Sequence, residues 1–150
     1  MAKEIERKFL VINNSYKELA TKTHEIAQGY LSVDPDRTVR IRIKDAKAYI
    51  TVKTRNIGII RDEWEYEIQV ADAREMLEVC LGTVIMKTRY IVPATNGLCW
   101  EIDEFHGQHS GLVLAEIELP CDDISIEIPS FIGTEVSDNS AYYNSSLSKV

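Results

Sequence analysis

Charged residues recur at every second position in several short segments of this chain of 150 residues. The first segment places Glu4, Glu6 and Lys8 two residues apart, so that all three project from one face of an extended strand. The same spacing recurs in Arg40/Arg42/Lys44, Thr51/Lys53/Arg55, Arg61/Glu63/Glu65/Glu67, Lys87/Arg89, Glu101/Asp103 and Glu116/Glu118. Such a face could bind a polyanion through its cations and a hard metal ion through its carboxylates.

The basic members of this pattern predict a surface that binds phosphate groups. An arginine fork matches two phosphate oxygens at once, and a lysine adds a compact charge. The predicted substrate-binding residues are Lys8, Arg40, Arg42, Lys53, Arg61, Lys87 and Arg89.

The acidic members predict a site for a divalent cation, because carboxylates alone would repel a phosphate. Carboxylates without histidine or cysteine favour Mg²⁺ or Mn²⁺ over zinc. The inferred chemistry is metal-assisted attack on a phosphoanhydride bond. The predicted metal ligands are Glu4, Glu6, Glu63, Asp103, Glu116 and Glu118.

Period-two alternation also defines the elements that must carry these residues. It predicts strands over 3–12, 39–44, 48–55, 61–70, 86–92, 98–105 and 112–119, with an eighth around Gln28-Gly29-Tyr30-Leu31. Helices are predicted from a capping box at Ser15–Glu18, from a cap at Asp72 to a stop near Gly82, and around 129–133. The fold class is therefore mainly β (α+β), with a few flanking helices.

Eight strands can close into a barrel whose interior admits side chains or one small ligand. The alternation alone fits an open sheet equally well. For a single strand, a solvated charge ladder that prevents edge pairing is the better explanation. Seven such segments together favour an enclosed, charged face instead.

Composition limits the other function classes. The 17 basic and 24 acidic residues give 17 − 24 = −7, and that charge argues against a nucleic-acid duplex as partner. The chain length fits one domain over residues 1–150. We expect a cytoplasmic location without membrane contact, because no signal peptide or spanning segment is evident and the three cysteines are an odd, scattered set.

In combination, these segments closely resemble the CYTH superfamily, the triphosphate tunnel metalloenzymes. The ExExK signature of that family matches Glu4-Ile5-Glu6-Arg7-Lys8. Further matches follow in order at Gln28-Gly29-Tyr30-Leu31, Arg40-x-Arg42, Thr51-x-Lys53, Arg61-x-Glu63-x-Glu65, Lys87-x-Arg89, Trp100-Glu101-x-Asp103, Ala115-Glu116-x-Glu118 and the C-terminal Glu135–Ser137 and Tyr142–Asn144.

The resemblance implies an eight-stranded antiparallel barrel that forms a tunnel for triphosphate. The short chain looks most like the bacterial inorganic triphosphatases, which implies metal-dependent hydrolysis of tripolyphosphate to pyrophosphate and phosphate. It also implies that Lys8 pairs with Tyr30 and helps to activate water. For Lys8, the role of a phosphate ligand only stays open. For the function, the alternatives are a class IV adenylyl cyclase, another nucleoside or thiamine triphosphatase, and a polyphosphate sensor without turnover. For the assembly, a homodimer also stays open.

Overall fold

A computed structural model describes residues 2–148 of the chain, and the backbone is dominated by antiparallel strands. The strands are β1 (Ala2–Val11), β2 (Lys22–Ser32), β3 (Thr38–Lys44), β4 (Lys47–Lys53), β5 (Ile60–Ile68), β6 (Leu81–Pro93), β7 (Cys99–Phe105), β8 (Val113–Glu118) and β9 (Ile132–Glu135). The α-helices are α1 (Tyr16–Leu19), α2 (Val70–Glu78) and α3 (Asn144–Leu147). Short 3-10 turns lie at Thr95–Gly97, Gly107–His109 and Ser140–Tyr142.

Eight of the strands close into a barrel in the order β1, β5, β4, β3, β2, β6, β7 and β8, and β8 returns to β1. Closure depends on β1, which pairs with a different strand on each edge. Its first half pairs with β5, where Glu4 lies opposite Arg61, and its second half pairs with β8, where Lys8 lies opposite Glu116. The prediction of an eight-stranded antiparallel barrel is confirmed.

The apolar phase of the strands faces outward and is covered by the helices and the long connections. One cluster packs Phe9, Trp100 and Ile117 against Tyr16 of α1 and Phe131. A second cluster packs α2 through Ala73 onto Ile41 and Ala48. Because the apolar side chains are buried on the outside, the charged phase of the same strands turns inward.

The predicted helix around 129–133 is wrong, since the chain there turns and enters β9. β5 pairs with β1 only as far as Ile5, so the edge of β1 beyond that point is open. Residues Ile132–Glu135 pair with that edge between Phe9 and Val11, and this pairing outweighs the helix signal of Pro129. Pairing across the sheet is a long-range effect that local sequence does not record.

The other two predicted helices do form, but their N-terminal caps differ from the prediction. α2 begins at Val70 after Gln69, so Asp72 lies in its first turn and does not cap it. The N-cap of α1 is Ser15, but its side chain donates to Asn13 Oδ1 and makes no capping hydrogen bond. The alternating pattern also placed Arg55 on the same strand as Thr51 and Lys53. In the structure β4 ends at Lys53, and Arg55 is exposed and pairs with Asp36.

Gly29 provides a direct test of how α2 packs on the barrel. A Cβ atom there would lie 2.8 Å from Cys80 Sγ and 3.2 Å from Leu77 Cδ2. We expect Gly29→Ala to lower the free energy of unfolding by about 1–3 kcal/mol, because the helix must shift outward. Urea denaturation of Gly29→Ala, Cys80→Ala and the double variant measures this change in the free energy of unfolding.

Cys80→Ala removes the closest contact, so Gly29→Ala should cost less stability in the Cys80→Ala background than in the wild type. An equal cost in both backgrounds would contradict the close packing of Cys80 on Gly29.

Candidate active site

The inward phase of the barrel forms one charged cavity of about 210 Å³. Its cationic lining comes from β1, β3, β4, β5 and β6, and its acidic lining comes from β1, β5, β7 and β8. The lining residues that the sequence predicted are Glu4, Glu6, Lys8, Tyr30, Arg40, Arg42, Lys53, Arg61, Glu63, Arg89, Glu116 and Glu118. Eleven of these carry charge, so the cavity suits a small, highly charged ligand.

Glu4 is held by two cations at the seam where β1 meets β5. Its carboxylate accepts from Lys53 Nζ at 3.0 Å and from Arg61 Nε at 2.9 Å. Burial alone would raise the pKa of Glu4, but the two cations outweigh burial and lower the pKa to about 2. Glu4 is therefore a fixed negative charge between two of the predicted substrate-binding residues.

The remaining carboxylates crowd one another. Burial and the charges of Glu116 and Glu4 raise the pKa of Glu6 well above its ordinary value. Burial raises the pKa of Glu63 despite its contact with Lys53, and burial with neighbouring carboxylates raises the pKa of Glu118. Glu116 differs, because burial is outweighed by the charge of Lys8 and a hydrogen bond with Glu6, which hold its pKa well below the ordinary value. Glu6 and Glu118 therefore have more negative neighbours than the cations around them compensate, which is the electrostatic condition that a bound cation relieves.

The donor chemistry of this cluster fits a hard divalent cation, because the crowded groups are all carboxylate oxygens. Among residues 2–148, no three acidic, histidine or cysteine side chains are already grouped at coordination distance.

Lys87 and Asp103 lie behind the cavity wall, and neither lines it. Asp103 accepts from Arg89 Nε and Nη2 at 2.8 and 2.9 Å and pairs with Lys87 Nζ at 2.7 Å. Burial opposes the charge of Asp103, but the two cations hold its pKa below the ordinary value. For Lys87 burial prevails: it lowers the pKa to about 7 despite the contact with Asp103. The geometry makes this group a support for Arg89.

Arg40 enters the cavity from β3 with an unused donor. Its Nη2 lies 3.3 Å from both Thr51 Oγ1 and Glu65 Oε2, whereas its buried Nε has no hydrogen-bond partner among the described residues. Leaving a buried charged donor unsatisfied is costly. The Nε group of Arg40 is therefore a donor whose hydrogen-bonding capacity the described residues leave unmet.

Arg42 is held by the neutral amide of Gln28, which accepts from Arg42 Nε at 2.9 Å and from Nη2 at 2.7 Å. Burial and the charges of Arg40 and Arg89 lower the pKa of Arg42 to about 9, so the guanidinium stays charged at neutral pH. Arg40 and Arg42 are two residues apart on β3 and share one face.

Lys8 contacts both β8 and the C-terminal segment, residues 137–147. Its Nζ donates to the backbone oxygen of Tyr142 at 3.0 Å, lies 3.7 Å from Glu116 Oε1 and is 5.8 Å from the centre of the Tyr143 ring. Tyr30 lines the same cavity, but among the described contacts no hydrogen bond joins it to Lys8. The expected Lys8–Tyr30 pair therefore stays a prediction.

The C-terminal segment is the part of the site that the sequence pattern did not supply. Ser137, Tyr143, Asn144 and Ser145 line the cavity, and Tyr143 Oη accepts from Asn56 Nδ2 at 2.9 Å. His109, in the turn after β7, lies 2.8 Å from the backbone oxygen of Leu147 and anchors the end of α3. In the sequence, this segment was marked only by the family match at Glu135–Ser137 and Tyr142–Asn144.

Comparison with known proteins agrees with this geometry. Residues 2–150 match the CYTH domain family. An inorganic triphosphatase of Acetivibrio thermocellus is 47% identical over 150 residues, which covers 99% of this chain and 95% of that protein. An inorganic triphosphatase of Nitrosomonas europaea is 33% identical over 147 residues, covering 96% of this chain and 95% of that protein.

Solved structures share the barrel. The crystal structure of an inorganic triphosphatase covers 100% of this chain and 97% of its own, with a TM-score of 0.70 and 29% identity. A Hippeastrum protein described as an adenylyl cyclase with a dominant triphosphatase activity covers 79% of this chain and 80% of its own, with a TM-score of 0.61. At 20% identity, this second likeness concerns the fold alone. Since the family match extends along nearly the whole chain, this protein belongs to the CYTH domain family.

Proposed function

We propose that this protein hydrolyses inorganic triphosphate (tripolyphosphate) to pyrophosphate and phosphate. The observation that carries the proposal is a cation-lined cavity in which the buried Nε of Arg40 has no protein partner among the described residues. The two curated relatives are named inorganic triphosphatases. The cavity, at about 210 Å³, is smaller than the roughly 300–1,000 Å³ of pockets for drug-sized ligands, which favours an inorganic chain over a nucleotide.

The substrate is bound by cations from several strands. Arg40 and Arg42 offer guanidinium donors from β3, and Arg89 faces them from β6, held by Asp103 and Glu101. Lys53 and Arg61 reach the cavity while paired with Glu4, so a phosphate must share them with that carboxylate. Arg40 shares Nη2 with Glu65 but its Nε has no partner among the described residues, and Arg42 is held by a neutral amide, so we assign the tightest phosphate contacts to these two arginines.

A divalent cation, Mg²⁺ or Mn²⁺, is proposed to be held by carboxylates among Glu6, Glu63, Glu116 and Glu118. When bound, it supplies charge neutralisation between carboxylate and phosphate oxygens and polarises the reacting phosphoryl group. Glu4 and Asp103 are already held by two cations each, so we assign them to orienting those cations.

Lys8 is assigned as a phosphate ligand. Its Nζ is directed by the oxygen of Tyr142, by Glu116 and by the ring of Tyr143, all of which stabilise an ammonium group. A general base needs a lone pair directed at the attacking water, whereas this Nζ donates to a backbone oxygen and faces a carboxylate. Tyr30 lies near Arg42 and Arg61 in the same cavity, and we keep it as a proposed contributor to water positioning.

The proposed partner is therefore a small polyphosphate, and no nucleic-acid duplex or membrane surface is invoked. None of the helices in residues 2–148 has the length and apolar character needed to cross a membrane. A cytoplasmic location and a homodimer remain proposals, tested by fractionation and by solution mass.

One assay panel tests the proposed reaction. Purified protein with Mg²⁺ or Mn²⁺ is given tripolyphosphate, ATP, thiamine triphosphate and pyrophosphate. We expect phosphate release from tripolyphosphate to exceed release from the others by at least about tenfold in kcat/KM, the factor that 1.4 kcal/mol of transition-state preference supplies. Cyclic AMP from ATP, or binding of tripolyphosphate without turnover, would overturn the hydrolase proposal.

Glu118→Gln tests the carboxylate cluster. The change removes a negative charge from a group crowded by other carboxylates but keeps its size. We expect Mn²⁺ affinity, measured by calorimetry in the absence of substrate, to fall about tenfold or more. The matched control is Glu67→Gln, which follows the same two-residue spacing on β5 but is exposed and does not line the cavity. Equal affinities in both variants would remove Glu118 from the metal site.

Lys8→Met and Lys8→Arg separate a phosphate ligand from a base. If Lys8 binds phosphate, Lys8→Met should lower kcat/KM by about tenfold or more, and Lys8→Arg should recover part of the loss because it restores the charge. The pH profile of kcat should keep its shape in both variants. Loss of its alkaline limb in both would make Lys8 the base and contradict this assignment.

A further inference from the structure

Gln28 occupies a position that only a neutral hydrogen-bonding side chain could fill in the same way. It has no exposed surface and lies directly opposite Arg42 across the β2–β3 pair. Its Oε1 accepts both hydrogen bonds from Arg42, and its Nε2 donates to Asn144 Oδ1 at 2.8 Å. One amide thus joins the cation of β3 to the C-terminal segment.

The direction of these hydrogen bonds follows from chemistry. Lys87 Nζ donates to Asn144 Oδ1 at 3.0 Å, so that oxygen is the acceptor presented to Gln28. Gln28 must then direct its NH₂ group toward Asn144 and its oxygen toward Arg42. A guanidinium only donates, so Arg42 fixes the same orientation from the other side. Donation therefore runs from Arg42 through Gln28 to Asn144 Oδ1, which also accepts the hydrogen bond from Lys87.

The other arginines that line the cavity are held differently. Arg40 lies 3.3 Å from Glu65, Arg61 2.9 Å from Glu4, and Arg89 2.8 Å from Asp103. Among the described arginines of the lining, Arg42 alone has no carboxylate within 4.0 Å. A carboxylate would fix the guanidinium but also cancel much of its field, whereas an amide fixes it and leaves the charge intact.

We propose that Gln28, oriented by Asn144, is a positioning residue that aims the Arg42 guanidinium into the tunnel without neutralising it, so that Arg42 carries a full charge to a phosphate group of an inorganic polyphosphate. The inference rests on the proposed function and deepens it. It explains why a buried position facing a cation carries Gln and not Glu.

Gln28→Glu tests the neutrality of this contact at constant size. The new carboxylate would pair with Arg42, so we expect KM for tripolyphosphate to rise about tenfold or more, with kcat changed by a smaller factor. Gln69→Glu, an exposed substitution beside α2, is the control for one added charge and should leave the kinetics unchanged. An unaltered KM in folded Gln28→Glu would overturn the proposal.

Gln28→Met separates orientation from charge, since it removes the hydrogen bonds but adds no carboxylate. It should raise KM by a smaller factor than Gln28→Glu, because Arg42 keeps its charge and loses only its alignment. An equal rise in both variants would reduce Gln28 to structural support and contradict the charge argument. Should Gln28→Glu fail to fold, a raised KM with retained kcat in Gln28→Met supports the positioning role, and an unchanged KM refutes it.

Calorimetric binding of tripolyphosphate distinguishes failure of this inference from failure of the proposed reaction. If the wild-type protein binds tripolyphosphate without turnover, the hydrolase proposal fails, and weaker binding by Gln28→Glu still supports the role of Gln28. If the wild-type protein does not bind it at all, both fail.

Discussion

Unbalanced charge inside a closed barrel is the constraint on which the rest of this structure depends. An isolated buried charge is far more costly than a paired one, so each inward side chain must find a partner or be left for a ligand. The groups at the β1–β5 seam and behind the wall are paired, through Glu4 and Asp103. Other lining groups are only partly satisfied: Arg40 pairs with Glu65, but its buried Nε has no partner among the described residues, and Glu6 is crowded by like charge. The binding capacity of the barrel lies in this incomplete pairing.

The same constraint relates the outer surface to the interior. Apolar side chains on one phase of each strand need a cover, which the helices and the 119–132 connection supply. Because a strand alternates, covering the outside obliges the opposite phase to face the lumen. The net charge of −7 therefore says little about the ligand, since the lumen holds a local cationic surface that the total conceals.

The strand phases, and hence most of the lumen lining, could be predicted from the sequence because period two is a local signal. Which inward-facing side chains reach the cavity could not be predicted. Lys87 and Asp103 alternate in step with Arg89, but they pair with each other behind the cavity wall. The contributions of Tyr143 and Asn144 also escaped prediction, since they depend on a segment returning from the far end of the chain. The pairing of β9 with the open edge of β1 is long-range in the same sense.

The most direct test of this site is a crystal structure of the protein with tripolyphosphate and Mn²⁺, analysed by the anomalous signal of manganese. We expect phosphate oxygens at hydrogen-bond distance from Arg40 Nε and from the Arg42 guanidinium, with manganese between the substrate and the carboxylates of Glu6, Glu116 and Glu118. Tripolyphosphate bound outside the barrel, or manganese away from these carboxylates, would contradict this expectation.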